Sequence, residues 1–386
     1  MSSGDVKIHS HRRSSPTPEI KGARISQVTM AQHYDGNISI PGCDKNMPGC
    51  LMAALRHNRP TILVYGGTIQ AGIRHVDCPA LGYKKGDTVN IADAFESFGA
   101  YKTGQISDEE RFDVVRHACP GAGACGGMYT ANTMSSVLEV LGMSLPYSAS
   151  IPAVYPEKTQ ECFRAAKYMK NLLAKDIKPR DIVTKKAIET LSRWSISSED
   201  QQTRFVMEDL HKAGGIPALL KYLLNHTDLI DGSQMTVTGR TLAENLEDVE
   251  ELKFGEGEQQ VVMPIEKPIK PTGHLTILRG NLAPGSAVAK LTGKEGLFFE
   301  GVAKCFDVEA DFYPALERGE IKAGQVVSLG TKVPKVAWYA RGPTGAIMGA
   351  SRGFIIGHVT PEAHLGGPIA LVEDGDKLRL MRISAP

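Results

Sequence analysis

Thr61-Ile-Leu-Val-Tyr65-Gly66-Gly67 is a short β-prone run that stops at a pair of glycines. Its length, its branched apolar residues and its glycine boundary read as a strand buried on both faces, as in the sheet of an α/β domain. Downstream, Met134, Val137, Leu138 and Leu141 fall at the i, i+3, i+4, i+7 spacing of an amphipathic helix. Phe163, Ala166, Leu172 and Leu173 indicate another helix that stops before Pro179, and residues 210–224 a third. The chain to about residue 230 therefore alternates strands and helices. Beyond Gly232 short β-prone runs recur between Gly and Pro signals, at 235–238, 275–278, 326–328, 354–359, 369–372 and 378–383. Regular spacing of that kind favours a barrel or a sandwich. The charged stretch 244–260 reads as a solvated connection within this second domain. No internal repeat is present.

At 386 residues the chain is long enough for two domains, since one core stops growing at roughly 250–300 residues. The pattern divides it at 1–26, 27–230 and 231–386. The first segment is polar and basic and is expected to be a disordered tail. It could also be the remnant of an organelle transit peptide, although Asp5 and Glu19 argue against a complete one. With 44 basic against 43 acidic residues the net charge is +1, which points to no nucleic acid or other polyanion partner. No apolar run approaches the ~20 residues that span a bilayer. Seven unevenly spaced cysteines form no disulfide framework and fit a reducing compartment or metal binding.

The chemistry concentrates in Cys43-Asp44-Lys45 and in Cys119-Pro-Gly-Ala-Gly-Ala-Cys125. Thiolate is a soft ligand suited to iron–sulfur clusters, and carboxylate a hard ligand suited to Mg²⁺. Both kinds on successive residues suggest two different metals near one substrate. Lys45 can join them only without its charge, for example as a carbamate formed with CO₂, and burial near a metal would favour that. The bland alternative for Asp44 and Lys45 is an exposed turn pair in a Pro/Gly-bounded loop. Residues 121–126 match GxGxxG, but the preceding 109–117 is charged and helix-like where a dinucleotide site needs a strand. The glycines better suit close approach of backbone N–H groups to an anion. Cys119 competes with Cys125, since both flank the loop. Cys50, Cys78, Cys162 and Cys305 read as core fillers. His117, His211, His274, His358 and His364 have no metal-ligand spacing and read as structural.

The run from Tyr34 through Asn-Ile-Ser-Ile-Pro-Gly-Cys43-Asp44-Lys45, together with His117-Ala-Cys119 through Cys125-Gly-Gly-Met-Tyr-Thr-Ala-Asn132, resembles the dihydroxy-acid dehydratase family. The likeness continues through Phe205-Val-Met-Glu-Asp-Leu-His211, Pro271-Thr-Gly-His274, Leu278-Arg-Gly-Asn281, Gly357-His358-Val-Thr-Pro361 and Gly366–Gly375. It covers most of the chain from about Val28 onward. It implies an α/β N-terminal domain carrying the metals and a C-terminal β-barrel domain closing over them. The implied reaction dehydrates 2,3-dihydroxy-3-methyl carboxylic acids to 2-keto acids, in valine and isoleucine biosynthesis. The implied cofactors are a [2Fe-2S] cluster on Cys43 and Cys125, with Cys125 preferred over Cys119, and Mg²⁺ on Asp44 and carbamylated Lys45. A homodimer is implied, located in the mitochondrial matrix if the chain is eukaryotic and otherwise in the cytoplasm. A sugar-acid dehydratase of the same superfamily is the alternative enzyme, and a non-catalytic paralogue the alternative of another class.

The chain departs from the family where the chemistry lies. A Pro-Cys-Asn-Met-His run with a third cluster cysteine and a Ser-Asp-Gly-Ile segment with another Mg²⁺ aspartate have no counterpart. Neither has a Gly-Gly-Ser-Thr-Asn segment expected after Leu191. Ala350 joins Ser351 directly where the family has Asp-Gly-Arg-Phe-Ser-Gly-Gly-Ser, whose first serine is the catalytic base. Ser351 matches the last serine of that loop, so no catalytic residue is carried over. Residues 331–341, back-translated and read one base earlier, begin Glu-Gly-Pro-Lys-Gly-Gly, as the family's Mg²⁺-binding glutamate loop does. That suggests a frame slip, which sequencing of the transcript would test.

Overall fold

The computed structural model describes residues 18–43, 45–102, 104–124, 126–193, 205–268, 275–290, 298–329, 336–339 and 355–381. In chain order the elements begin α1 (Pro18–Ala31), β1 (Asn37–Ser39), α2 (Asn46–His57), β2 (Thr61–Leu63), β3 (Gly72–Ile73) and β4 (Thr88–Val89). Then come α3 (Ile91–Lys102), α4 (Asp108–His117), α5 (Thr130–Val140), α6 (Pro156–Lys175), α7 (Pro179–Ile182) and α8 (Lys185–Arg193). The helical part closes with α9 (Met207–Lys212), α10 (Gly215–His226) and α11 (Leu242–Leu246). The rest is β5 (Leu275–Gly280), β6 (Ala283–Lys290), β7 (Phe298–Phe306), α12 (Glu309–Glu317), β8 (Gln325–Leu329), β9 (Val336–Tyr339), β10 (Ile355–Thr360) and β11 (Lys377–Met381). By its contacts the chain divides into two units, one of residues 1–75, 84–91 and 115–267, the other of 76–83, 92–114 and 268–386.

The first unit is built around β2. All three of its residues are buried, and it pairs in parallel with β1, Asn37 opposite Thr61. Ile62, Leu63, Val64 and Tyr65 form one core with Met47 and Ala54 of α2, Leu138 of α5, and Ala165, Met169 and Leu172 of α6. Burying one such Leu contributes about 1.5–3 kcal/mol before entropy is counted. α5 follows its predicted stripe, with Leu138 and Leu141 buried and Met134 and Val137 packed beside them. α6 exists as predicted but turns a different face inward. Phe163 is 74% exposed and Leu173 is also exposed, because Ala165, Met169 and Leu172, at i, i+4, i+7, take the core. The helix predicted over 210–224 is two helices, broken at Gly214 and Gly215, both at positive φ.

Three further expectations are corrected. Residues 18–26, read as part of a disordered tail, belong to α1. The helix lies close on α2 because Gly22 faces the Gly49 carbonyl and Ser26 Oγ donates to the Ala53 carbonyl at 3.3 Å. Residues 235–238 form a turn and not a strand: the Thr236 and Thr238 hydroxyls bond to each other, and Thr236 Oγ1 donates to the Arg240 carbonyl. Such hydroxyl bonds give the backbone an alternative to a ladder. Residues 244–260 are not wholly solvated. Leu246 and Leu252 are buried, and Leu252 packs beside Tyr222 of α10.

The second unit carries a seven-stranded sheet in the order β11-β7-β8-β9-β10-β6-β5, antiparallel except for β7 with β8. Of the expected runs, 275–278 and 326–328 and the described parts of 354–359 and 378–383 lie in its strands. Residues 369–372 do not; Pro368 opens a 3-10 turn, Pro368–Leu371, since proline fixes φ and cannot donate to a ladder. Ala287, Ala289, Ala303, Val326, Ile356 and Leu378 fill the sheet's inner face. Among the described residues β5 and β11 are its edges and no closed barrel is formed, so the architecture is a mixed helix-and-sheet one. Of the irregular segment 331–341, the described part is β9.

Candidate metal centre

The segment 65–69, at the end of β2, is where both cysteine-bearing loops attach. On one side Val64 N–H donates to the Ser39 carbonyl and Gly66 N–H to the Pro41 carbonyl, each at 2.9 Å. On the other, Ala124 N–H donates to the Gly67 carbonyl at 3.0 Å and Ile69 N–H to the Ala124 carbonyl at 2.6 Å. The approach is so close that a Cβ on Gly123, which has φ +136°, would lie 2.5 Å from the Thr68 carbonyl. Residue type therefore decides whether the glycine loop can dock at all.

Cys43 is exposed at the entrance to α2, where its carbonyl accepts the N–H groups of Asn46 at 3.0 Å and Met47 at 3.2 Å. A helix N-terminus favours negative charge, which suits a thiolate or the anionic group it binds. Lys45 follows as the N-cap position, without a side-chain cap, and is exposed. The burial expected of a carbamate-forming lysine is not provided by the described residues. Asp44 and Cys125 lie outside the described residues. The neighbours of Cys125 are fixed on both sides: Ala124 by 67–69, and Gly126 through its carbonyl, which accepts Met207 N–H at 2.6 Å. Cys119, the competitor, is exposed.

Cys43 fits a group held by soft ligands: its exposed thiol stands on one loop, and glycines bring the other loop's backbone close to 67–69. Two buried amide oxygens, acceptors that a thiolate or sulfide would not bond, are unsatisfied. These are Asn46 Oδ1 beside Lys45 and Asn132 Oδ1 on α5, both without a hydrogen-bond partner among the described residues. Asn132 Nδ2 donates to Tyr65 Oη and Thr68 Oγ1, each at 3.2 Å, which fastens α5 to the shared segment.

Sequence reasoning passed over a second layer. Glu208 of α9 accepts Ala71 N–H at 2.8 Å and the Tyr155 hydroxyl at 2.7 Å, and Lys212 Nζ lies 3.3 Å away. Burial raises the Glu208 pKa, but the bonds from Ala71 and Tyr155 and the Lys212 charge outweigh it and hold the carboxyl below its usual value. Bonding to that carboxylate pushes the Tyr155 hydroxyl up to about 12. The signal lay in Phe205–His211, a run noted for its resemblance without any role for its glutamate.

The remaining candidates divide. Cys50 is buried, and desolvation pushes its thiol up to about 11, as a core filler requires. Cys78 is buried too, but Cys162 is exposed on α6, which overturns its core reading. Cys305 is half-buried, and its Sγ donates to the Val372 carbonyl at 3.4 Å. His211 Nδ1 pairs with Ser150 Oγ at 3.1 Å, and His117 lies against His75 with ring centres 3.9 Å apart and planes tilted by 40°. His358 is exposed, and His274 lies outside the described residues.

A mixed helix-and-sheet scaffold carrying two cysteine loops, followed by a strand-rich unit, defines the class. The chain matches the family model for the N-terminal part of dihydroxy-acid/6-phosphogluconate dehydratases over residues 9–194 and 200–245, and that for the C-terminal part over 260–338 and 343–384. It belongs to that family of dehydratases, which are hydro-lyases. A mitochondrial dihydroxy-acid dehydratase of Schizosaccharomyces pombe is 46% identical over 430 aligned positions, covering 96% of this chain and 70% of the relative. A dihydroxy-acid dehydratase of Francisella tularensis subsp. novicida is 45% identical, covering 93% and 72%. A chloroplastic one of Arabidopsis thaliana is 45% identical, covering 91% and 65%. The yeast alignment is longer than the 386 residues of this chain, so that relative carries internal segments with no counterpart here. No described helix is long and apolar enough to cross a membrane.

Proposed function

We propose that this chain is a dihydroxy-acid dehydratase by design, acting on a 2,3-dihydroxy-3-methyl carboxylic acid to give a 2-keto acid in branched-chain amino-acid biosynthesis. The observation that carries the reading is the docking of the Cys43 and Cys125 loops on one segment, 65–69, in a chain 46% identical to a protein of that name. Cys43 and Cys125 would hold a [2Fe-2S] cluster, and Asp44 and carbamylated Lys45 would hold Mg²⁺. When bound, the two metals supply Lewis acidity toward the departing hydroxyl and the carboxylate end of the substrate. What the chain's own residues do is hold those ligands: α2 presents Cys43, and the glycine loop with 67–69 and Met207 presents Cys125. The sheet of the second unit would form the wall of the family's barrel. A homodimer belongs to the same reading, in the mitochondrial matrix for a eukaryotic chain and in the cytoplasm otherwise.

A second reading is favoured by the internal gaps against the yeast relative. The family's base serine and third cysteine belong to segments without counterpart, and its Mg²⁺ glutamate to the loop that 331–341 matches only in another reading frame, so the scaffold is kept while the catalytic set is incomplete. Assays with 2,3-dihydroxyisovalerate, a pentonate and gluconate test the substrate class. Turnover of either sugar acid in preference to the branched acid would refute the dihydroxy-acid assignment.

A further inference from the structure

Two histidines that their spacing in sequence does not connect come together in the first unit. His75 follows β3 and is exposed, His117 closes α4 and is half-buried, and their ring centres stand 3.9 Å apart. The approach is built into the backbone. Gly72 lies against residues 117–118, where a Cβ would come 2.3 Å from the His117 carbonyl oxygen. Arg74, next to His75, is fixed through both backbone groups: it donates to the Asp87 carbonyl and accepts Gly86 N–H, each at 2.9 Å. Along α4 itself Asp113 stands one turn before His117, at the i,i+4 spacing that puts two side chains on one face. The ligating nitrogens of the two histidines lie within 4.8 Å of each other, as do the Asp113 carboxylate and the His117 nitrogen. Tetrahedral ligands ~2 Å from one ion stand ~3.4 Å apart, so rotation of exposed side chains suffices to close the set.

Imidazole with carboxylate suits Zn²⁺ and its neighbours, whereas Mg²⁺ and Ca²⁺ take mainly oxygen ligands. A charge as buried as that of Asp113, which is 6% exposed, is paired or binds a metal. The C-terminal end of a helix also favours positive charge, and His117 stands in the last turn of α4. We propose that His75 and His117, with Asp113 from the preceding turn of α4, bind a divalent first-row transition ion of the Zn²⁺ kind and use no cysteine. The exposed side of His75 leaves a fourth position open to water. The bound ion would tie the end of α4 to the segment after β3. The proposal is independent of the cluster reading.

The test is calorimetric titration of Zn²⁺ into the metal-free, reduced 386-residue protein after its exposed thiols have been alkylated with iodoacetamide. The parent should take up a single ion per chain, and Mg²⁺ should give no comparable binding. Losing a group that merely orients a metal ligand already costs tenfold or more, so His75→Ala and His117→Ala should each weaken Zn²⁺ binding by at least about tenfold. His358→Asn, at an exposed histidine of β10, should bind as the parent does. Zn²⁺ should also raise the melting temperature of the parent and not that of His75→Ala. Asp113→Asn should bind more weakly than the parent; if melts show that this buried variant does not fold, His75→Ala, at an exposed position, decides. No uptake by the parent, parent-like affinity in His75→Ala, or an equal loss in His358→Asn overturns the proposal. A folded Asp113→Asn that binds as tightly as the parent overturns the three-ligand set.

Discussion

At the scale of single residues, the two loops and the buried acids carry different burdens. In a chain restored with the family's missing segments, Cys43→Ser and Cys125→Ser should each abolish the visible iron–sulfur absorbance, because a hydroxyl is a poor replacement for thiolate. Cys162→Ser, exposed on α6, should leave it unchanged; full absorbance in both of the first two variants would refute the ligand assignment. Glu139 is a structural case. It is buried, and its two oxygens accept the N–H groups of Tyr147 at 2.8 Å and Ala149 at 2.9 Å, which pins the turn after α5. Desolvation dominates those bonds and pushes its carboxyl from 4.5 up to about 8. The folded state therefore holds the proton more tightly than the unfolded chain. Its contribution to stability is full below about 4.5 and is lost as pH rises through about 8. Glu139→Gln turns an amide N–H₂ toward a backbone donor and should cost about 1–3 kcal/mol. Urea titrations should show that deficit at pH 6 and a smaller one at pH 9; a deficit that grows with pH would contradict the assignment. His57 titrates with the opposite sign. Burial, and then the Arg59 charge, lower it from 6.5 to about 4, so its contribution is present above 6.5 and is lost as pH falls through about 4.

At the scale of elements, the glycine loop is where sequence and structure meet most directly. Gly123→Ala would place a methyl against the Thr68 carbonyl in a conformation L-residues avoid, and should cost more than about 2 kcal/mol. Gly121→Ala is the control: φ is +85° there but the space is open except for Val154 at 3.9 Å, so the cost should stay near 1 kcal/mol. Equal losses on denaturation would mean that docking on 67–69 is not what constrains the loop. The same region shows what could be read from sequence. The buried strand was visible because branched residues ended at glycines, and α5 because its stripe was regular. The inward face of α6 was not, since Phe163 outweighs Ala165 in apolarity while only the smaller residue lies on the packed side. Residues 235–238 and 369–372 were misread for a related reason: hydroxyl bonds and Pro368 act locally and override β-propensity. The bonds at Glu208 were invisible because its partners, Ala71 and Tyr155, lie 137 and 53 residues away.

At the scale of the whole molecule, the chain keeps the family's scaffold across both family models while lacking internal segments that its yeast relative carries. Scaffold and catalysis are separable quantities. The core around 62–65 and the docking of the cysteine loops need none of the missing segments, so the first unit retains its packing. Catalytic groups that act as a unit are strongly non-additive, and losing one costs nearly as much as losing all. Family membership, shown by both family models, is therefore separate from turnover, which is not expected of the chain as it stands. The most direct measurement is conversion of 2,3-dihydroxyisovalerate by the 386-residue protein, reconstituted with iron, sulfide and Mg²⁺, beside a chain restored with the family's absent segments and with the glutamate loop in place of 331–341. The account predicts 2-keto acid from the restored chain and none measurable from the chain as it stands. Comparable rates from the two would contradict it and show that residues present here supply the base and the third ligand.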